Sequence, residues 1–534
     1  MSKTLYYGGS ILTMNKKMPR TQALLTENGK ITAVGDYAKL DITAKDAKRV
    51  DLCGKTLMPG FVDGHSHLAG VGASLKKCDL SACRSFDEIL DTIRKYRTDN
   101  DLTHGEIINC AGYDTALLKE GTHPTAKLLD SLGFDNPIGC SHISLHMGVY
   151  NTNAMRLCGV DDSYSPTAGG VVGRDSEGHL TGYFEEGTRG KLSAVMEKLS
   201  EAEVEDCIIK AQDYYLKYGI TTMQDGGGNG DLRIRLYERL AKEGKLKGDV
   251  VIYMAPRPKD PNMWEDAKKR IGNGGYMNHL KIGGIKTVLD GSPQARTAWM
   301  RKPYEGGDPN YCGYPLTTDE RLYPILENAI AKGVQVLAHC NGDAAAEQFL
   351  SNWEKAVAAA GHGAELRPVM IHAQTVGYDQ LDRMGAVGMM PSFFIGHCYY
   401  WGDTHLKNFG ERGQRISPVK AAMERGLPYD FHQDSPVTPP DMLHSVWCAV
   451  NRITRNGICV GPENRIDVYD ALIGVTNGAA YSYFEEDTKG ILKEGAVADL
   501  VILDKDPTAI DPMEIKNIKV LSTIKEGETL YTAE

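Results

Sequence analysis

The chain has 534 residues, 42% of them hydrophobic and 24% charged, with a net charge of −10. This is the balance of an ordinary globular protein with enough chain for one large domain and a smaller one, and it lacks the positive footprint of a nucleic-acid binder. No apolar run reaches the roughly 18 residues of a membrane span, no basic-then-apolar leader opens the chain, and the 12 cysteines are scattered without CxxC pairs, a pattern expected of reduced thiols in a cytoplasmic enzyme.

In chain order, the first 58 residues read as short strands (Leu5–Tyr7, Ser10–Met14, Gln22–Thr26 and Lys30–Val34) parted by Gly-Gly, Asn-Lys and Asn-Gly turn signals. Strand character returns at Ala498–Leu503 and Ile518–Ile524. Neither end has enough apolar residues for a sheet of its own, so residues 1–58 and 490–534 are expected to form one composite β-sandwich. Between them, residues 59–489 carry apolar, β-branched runs at Leu57–Val62, Ile220–Gln224, Asp249–Met254, Leu280–Val288, Val334–Ala338, Pro368–Ile371, Val387–Met390 and Leu427–Phe431. Helix-like stretches such as Glu203–Tyr218, Thr318–Lys332 and Ala344–Ala360 alternate with several of them. Eight short buried strands with crossover helices predict an α/β fold, a distorted (β/α)8 barrel of the TIM type. A doubly wound sheet would want a Gly-rich turn after its first strand, and Gly64-His65-Ser66-His67 is not one. The first gap is too long for one helix, so an insertion is expected at about residues 100–190, with strands of its own at Glu106–Ala111 and Pro137–His142.

Barrel enzymes carry their reactive groups at the C-terminal ends of the strands. Here the first strand runs into His65 and His67, the fourth contains Lys286 and is followed by Asp290, and the fifth, sixth and eighth end in His339, His372 and Asp434. His65 and His67, two apart on a strand, point the same way and can share one ion, for which neutral imidazoles suit a borderline metal such as Zn²⁺. An HxH pair alone is weak, since about 0.4 are expected by chance in a chain of this composition. The conjunction of five such strand ends points to a metal centre.

With these residues in place, the sequence resembles the amidohydrolase superfamily almost end to end. Met58-Pro59-Gly60-Phe61-Val62-Asp63-Gly64-His65-Ser66-His67 looks like its first-strand metal motif, and Gly495 to Asp504 looks like its returning β-strand. Gly112-Tyr113-Asp114, Thr181 to Glu186, Asp290-Gly291-Ser292 with Arg296-Thr297-Ala298, His339 to Ala344, His372-Ala373-Gln374 and Asp434-Ser435-Pro436-Val437 are most similar to the group that includes N-substituted formamide deformylase. The resemblance implies a binuclear site of two Zn²⁺, with Mn²⁺ or Fe²⁺ able to share such ligands. In it, His65 and His67 hold one ion, His339 and His372 hold the other, and an N-carboxylated Lys286 bridges them. An ammonium has no lone pair, so only its carbamate could ligate a cation. The alternative for Lys286 is an unmodified amine neutralising Asp290 or a substrate carboxylate, and Glu186 is the second candidate for the bridge. Asp434 is expected both to ligate metal and to act as general base.

Asp114, His146, Glu186, Asp290 and Arg296 are further candidates for substrate contact. After the seventh strand, His397, Trp401, Asp403 and His405 in a run of aromatics read equally as a ring-recognising clamp or as an aromatic cap with hydrogen-bonded imidazoles. Arg415 and Arg452 could pair with a substrate anion, while His104, His179 and His362 read as solvated. The expected activity is hydrolysis of a non-peptide C–N bond, an N-acyl or N-formyl amide of a small molecule, by metal-activated hydroxide. The alternatives are a deaminase or cyclic-amide hydrolase of the same superfamily acting on a heterocycle and, with less support, a non-catalytic scaffold. No nucleic-acid or membrane partner is expected, and homodimerisation is an expectation from the resemblance.

Overall fold

The structure is a computed structural model that describes residues 3–533 apart from 145, 166–169, 258, 259, 261 and 273. The chain divides into two compact units, Met1–Ala69 with Ile208–Glu534, and Gly70–Cys207.

The first unit contains an eight-stranded curled sheet. Its strands are β1 (Phe61–Val62), β2 (Ile220–Asn229), β3 (Asp249–Met254), β4 (Leu280–Val288), β5 (Gln335–Cys340), β6 (Val369–His372), β7 (Met390–Phe393) and β8 (Asp430–Phe431). Neighbours in the sheet are neighbours in the chain and every pair is parallel. Both faces are covered, so β3 and β6 are buried at every position, the reason such strands read as continuous apolar runs rather than alternating ones. The helices Asp319–Lys332 and Asp343–Ala360 follow β4 and β5 and end on Gly333 and Gly361, each with left-handed backbone that closes the last turn. The ladder does not pair β8 with β1. The segments just beyond them meet instead, through Asp434 N–H to His65 O at 3.2 Å and His67 N–H to Ser435 O at 2.9 Å.

The two ends of the chain share one further eight-stranded sheet, where the sequence reading expects a two-sheet sandwich. Thr56–Pro59 pairs with Thr4–Leu12 on one side and antiparallel with Leu500–Leu503 on the other. Leu24, Leu57, Leu492, Leu500 and Ile524 pack into its core. The first predicted strand is thus divided between two sheets, with Gly60 at the break. A Cβ there would lie 2.5 Å from Thr221 Cγ2, so the crossing requires glycine. The seventh strand starts three residues later than expected, because Gly385–Val387 forms a 3-10 turn.

The second unit, Gly70–Cys207, holds a six-stranded sheet and a core of Leu80, Ile89, Ile93, Ile108, Leu129 and Val149. The strands expected at Glu106–Ala111 and Pro137–His142 form as Ile108–Tyr113 and Ile138–His142. Among the described residues, no helix is long and apolar enough to cross a membrane.

At the N-terminal end of β3, a buried ionic network ties the curled sheet to the terminal one. Asp249 receives Lys489 Nζ at 2.5 Å, Lys525 Nζ at 2.9 Å and His279 Nδ1 at 2.7 Å. Lys525 also reaches Asp499 at 3.0 Å, and Lys281 reaches Glu485 at 2.6 Å. Burial alone would raise the Asp249 carboxyl, but Lys489, the His279 hydrogen bond and Lys525 together hold it well below the usual range. Asp249→Ala would leave two buried ammonium groups short of an anion, with an expected loss of about 3–5 kcal/mol measured by urea unfolding. Because the folded carboxyl is the stronger acid, this stabilisation is fully present above the unfolded value near about 4 and is lost as the pH falls toward the folded value.

Candidate metal centre

His65 and His67 follow β1, Lys286 lies on β4, His339 on β5, His372 ends β6, and Asp434 follows β8. Curling of the sheet brings all six to its C-terminal rim. His67 Nε2 lies 3.1 Å from Asp434 Oδ1, His65 Nε2 lies 3.6 Å from the same oxygen, and Lys286 Nζ is 3.0 Å from His65 Nε2. His65, His67 and Asp434 each offer a ligand atom within 4.8 Å of the others. Across the cluster, His339 Nδ1 and His372 Nε2 are 3.0 Å apart, and the His65 and His372 rings are 5.9 Å apart. His67 is the open side, its side chain 33% exposed against 1% for His65.

The orientation of His65 is imposed from behind. Gln224 on β2 donates its amide hydrogens to Gly64 O and Tyr483 Oη, both at 2.8 Å, so its oxygen faces His65 Nδ1 at 2.6 Å. That bond places the proton on Nδ1 and turns the Nε2 lone pair toward Asp434 and Lys286. Gly226 makes room for this contact, since a Cβ there would lie 2.0 Å from the Gln224 oxygen and 2.5 Å from His65 Nδ1. Two ligand candidates, His372 (φ 74°) and Asp434 (φ 51°), hold left-handed backbone without being glycine, a strain of about 1–3 kcal/mol each that is tolerated where the surroundings over-determine it.

Electrostatics suit a cation. Burial, reinforced by neighbouring positive groups, pushes His65 and His372 well below the ordinary imidazole value, so both are neutral, as ligation requires. Burial works to raise the Asp434 carboxyl, but the His67 hydrogen bond, the nearby His67 and His432 rings and the Lys286 ammonium outweigh it and keep it ionised. Burial lowers the Lys286 amine to about 8 against the pull of Asp434. The lowered value favours the unprotonated amine, the form that can take up CO₂. Neutral nitrogens, an ionised carboxylate and a reactive amine make a donor set that fits one or two divalent ions.

Two participants were not singled out from the sequence. Gln224 ends a predicted strand, and a lone glutamine there carries no signal. His432 is fully buried and its Nε2 lies 3.1 Å from His372 Nδ1. Its spacing of two from Asp434 was the available clue.

Other candidates are engaged elsewhere. Asp290 is consumed by its own loops, accepting N–H bonds from Trp299, Asn341 and Gly342 at 3.0, 3.0 and 2.7 Å. Burial nevertheless pushes it up to about 7. The Lys286–Asp290 ion pair left open by the sequence is replaced by Lys286–His65. Arg296 braces loops through Asn408 Oδ1 and Glu305 O. His397 and His405 are buried, stacked at an interplanar angle of 1° and bonded to each other at 3.0 Å, and Asp403 accepts from Thr454. With Trp401 packed 4.6 Å from His397 and Phe394 lying 5.4 Å from His432, the run after β7 is an aromatic cap on the imidazole cluster rather than an open clamp. Arg452 is fully buried and spends its guanidinium on the carbonyls of Val460, Ser417 and Ile416. His104, His179 and His362 are exposed and paired with Asp135, Asp162 and Glu365. Within the unit Gly70–Cys207, His146 Nδ1 meets the Glu186 carboxylate at 3.0 Å, and Asp114 lies 4.0 Å from His142 Nε2.

Comparison with known proteins gives a consistent picture. The family model described as the amidohydrolase family matches residues 48–531. YtcJ of Bacillus subtilis, named as an amidohydrolase, is 28% identical over 99% of both chains. The N-substituted formamide deformylase of Arthrobacter pascens is 24% identical over 99% of this chain and 98% of its own. A metal-dependent hydrolase from Pyrococcus horikoshii matches in structure with a TM-score of 0.76 at 27% identity, covering 99% of this chain and all of the other.

Gln224→Leu keeps the ligands but removes the group that orients His65. Zinc affinity, measured by competition with a chromophoric chelator, is expected to fall about 10–100-fold. The ion-free protein should lose about 1–3 kcal/mol through the unpaired buried Nδ1–H.

Proposed function

The chain belongs to the amidohydrolase family, and from that premise and the rim cluster we propose that it hydrolyses a non-peptide C–N bond, an N-acyl or N-formyl amide of a small molecule. The observation that carries this reading is the meeting of His65, His67 and Asp434 with Lys286 and the His339–His372 pair on one partly open rim. His65, His67, Lys286 as its carbamate, His339, His372 and Asp434 would hold two divalent ions, Zn²⁺ first among them. Ions so held supply Lewis acidity and a water acidified to about neutrality.

The residues of the chain do the rest. Asp434, ionised and hydrogen-bonded to His67, is placed to take a proton on Oδ1 from the attacking water and return it to the departing nitrogen. That return matters because an amide nitrogen leaves poorly unless protonated. The aromatic cap after β7 covers His372 and His432 through Phe394. Arg415, exposed beside Tyr378, is available for an anionic substituent.

A one-ion reading is favoured by the compactness of the His65–His67–Asp434 trio taken alone. In that case the substrate is a heterocycle that loses an exocyclic amine as ammonia, or a cyclic amide. Elemental analysis of the purified protein separates the two. Two ions per chain, with an adduct of about 44 Da on Lys286, support the amidase; one ion, no adduct and ammonia release support the deaminase. Screening N-formyl and N-acyl amines then tests the substrate class directly.

His65→Ala with His67→Ala is expected to abolish bound metal, and retention of both metal and activity would refute the assignment. Asp434→Asn is expected to lower kcat by about 10²–10⁴-fold with a smaller change in KM, read alongside metal content so that loss of an ion is not mistaken for loss of the base.

A further inference from the structure

We propose that His432 is a positioning residue for His372: its Nε2 accepts the Nδ1–H of His372 and so commits the opposite nitrogen of that ring to the ion. The inference rests on the metal-dependent reading above and adds to it a residue that determines how one ligand is presented.

The geometry forms a chain. Ser392 Oγ lies 2.8 Å from His432 Nδ1, His432 Nε2 lies 3.1 Å from His372 Nδ1, and His372 Nε2 lies 3.0 Å from His339 Nδ1. All four side chains sit at the ends of consecutive strands β5 to β8, with Ser392 on β7 in register with Asp430 on β8. His432 and Ser392 have no exposed surface, so water does not substitute for either contact. His339 Nε2 lies between Gly291 O at 3.2 Å, which can only accept, and Asn341 Nδ2 at 3.0 Å, which can only donate.

His432 and His372 each have one proton and two neighbours along this chain, so the proton position on His432 dictates that on His372. When His432 carries its proton on Nδ1 and donates to Ser392 Oγ, its Nε2 accepts from His372. His372 then turns its Nε2 lone pair toward His339 Nδ1, 3.0 Å away, the presentation that ligation requires. When His432 carries its proton on Nε2, His372 Nδ1 must accept, and the His372 proton moves to Nε2, where it blocks ligation. A metal-bound histidine ordinarily hands its second N–H to a carboxylate, carbonyl or water. Here a neutral, buried imidazole takes that place, with Ser392 Oγ at its other nitrogen. The Phe394 ring, 5.4 Å from the His432 ring, packs against this pair on the cap side.

The test uses the full-length protein loaded with zinc or cobalt. His432→Phe keeps a ring of similar bulk but removes the acceptor, His432→Gln keeps an acceptor and a donor, and Ser392→Ala leaves His432 in place but releases its Nδ1. Zinc affinity by chelator competition is expected to fall about 10–100-fold in His432→Phe and less in Ser392→Ala, with His432→Gln recovering most of the loss. The visible absorption of the cobalt form should shift in the first two variants and return in the third. Wild-type affinity and an unchanged cobalt spectrum in His432→Phe would overturn the inference while leaving the hydrolase reading intact. If His432→Phe does not fold, an unchanged affinity and spectrum in Ser392→Ala overturns it equally. A wild-type protein that binds no metal at all would instead refute the hydrolase reading.

Discussion

Two main-chain hydrogen bonds, Asp434 N–H to His65 O and His67 N–H to Ser435 O, hold together residues nearly 370 positions apart. Without them the curled sheet would have two loose edges, and the histidines after β1 would have no fixed relation to the carboxylate after β8. The ladder itself does not supply the closure, because β1 and β8 are each only two residues long and unpaired with each other. The rim is therefore the seam of the sheet as well as the candidate metal centre, and the same residues that cluster there finish the fold.

The cluster is also a place where burial and ionisation oppose each other. Removing an imidazole from water favours its neutral form and removing a carboxylate raises its pKa. His65 and His372 follow the first rule without opposition, whereas Asp434 escapes the second because His67, His432 and Lys286 surround it. Asp63, two residues before His65, has no comparable cationic neighbour in contact, and burial pushes it up to about 6. The same residue type thus stands as an ionised base on the rim and as a weaker acid just beneath it.

Much of this was legible in the chain. The eight parallel strands follow from continuous apolar, β-branched runs, which is how a strand covered on both faces is written. Boundaries were less so: Leu57–Val62 reads as one strand because apolarity does not register that Gly60 hands the chain from one sheet to another. The rim histidines and Asp434 were legible from their places at strand ends. Asp290, after a strand, and Arg452, after a helix, show the limit of that logic, since a polar side chain can be used up by the backbone of neighbouring loops, and only the fold says which. A glutamine at a strand end such as Gln224 leaves no spacing pattern of its own, and His432 offers only its spacing of two from Asp434.

The pairing of Thr56–Pro59 with Leu500–Leu503 has a consequence for biosynthesis. Leu57 waits for Ile502, and at about 5–20 residues per second some 440 residues of translation take roughly 20–90 s. Throughout that interval the first strands leave the ribosome with a bare edge, the kind of template on which nascent chains aggregate. Closure of this edge is therefore a late event, awaiting Leu500–Leu503, and a product stalled before that strand would present the unpaired edge to chaperones and proteases.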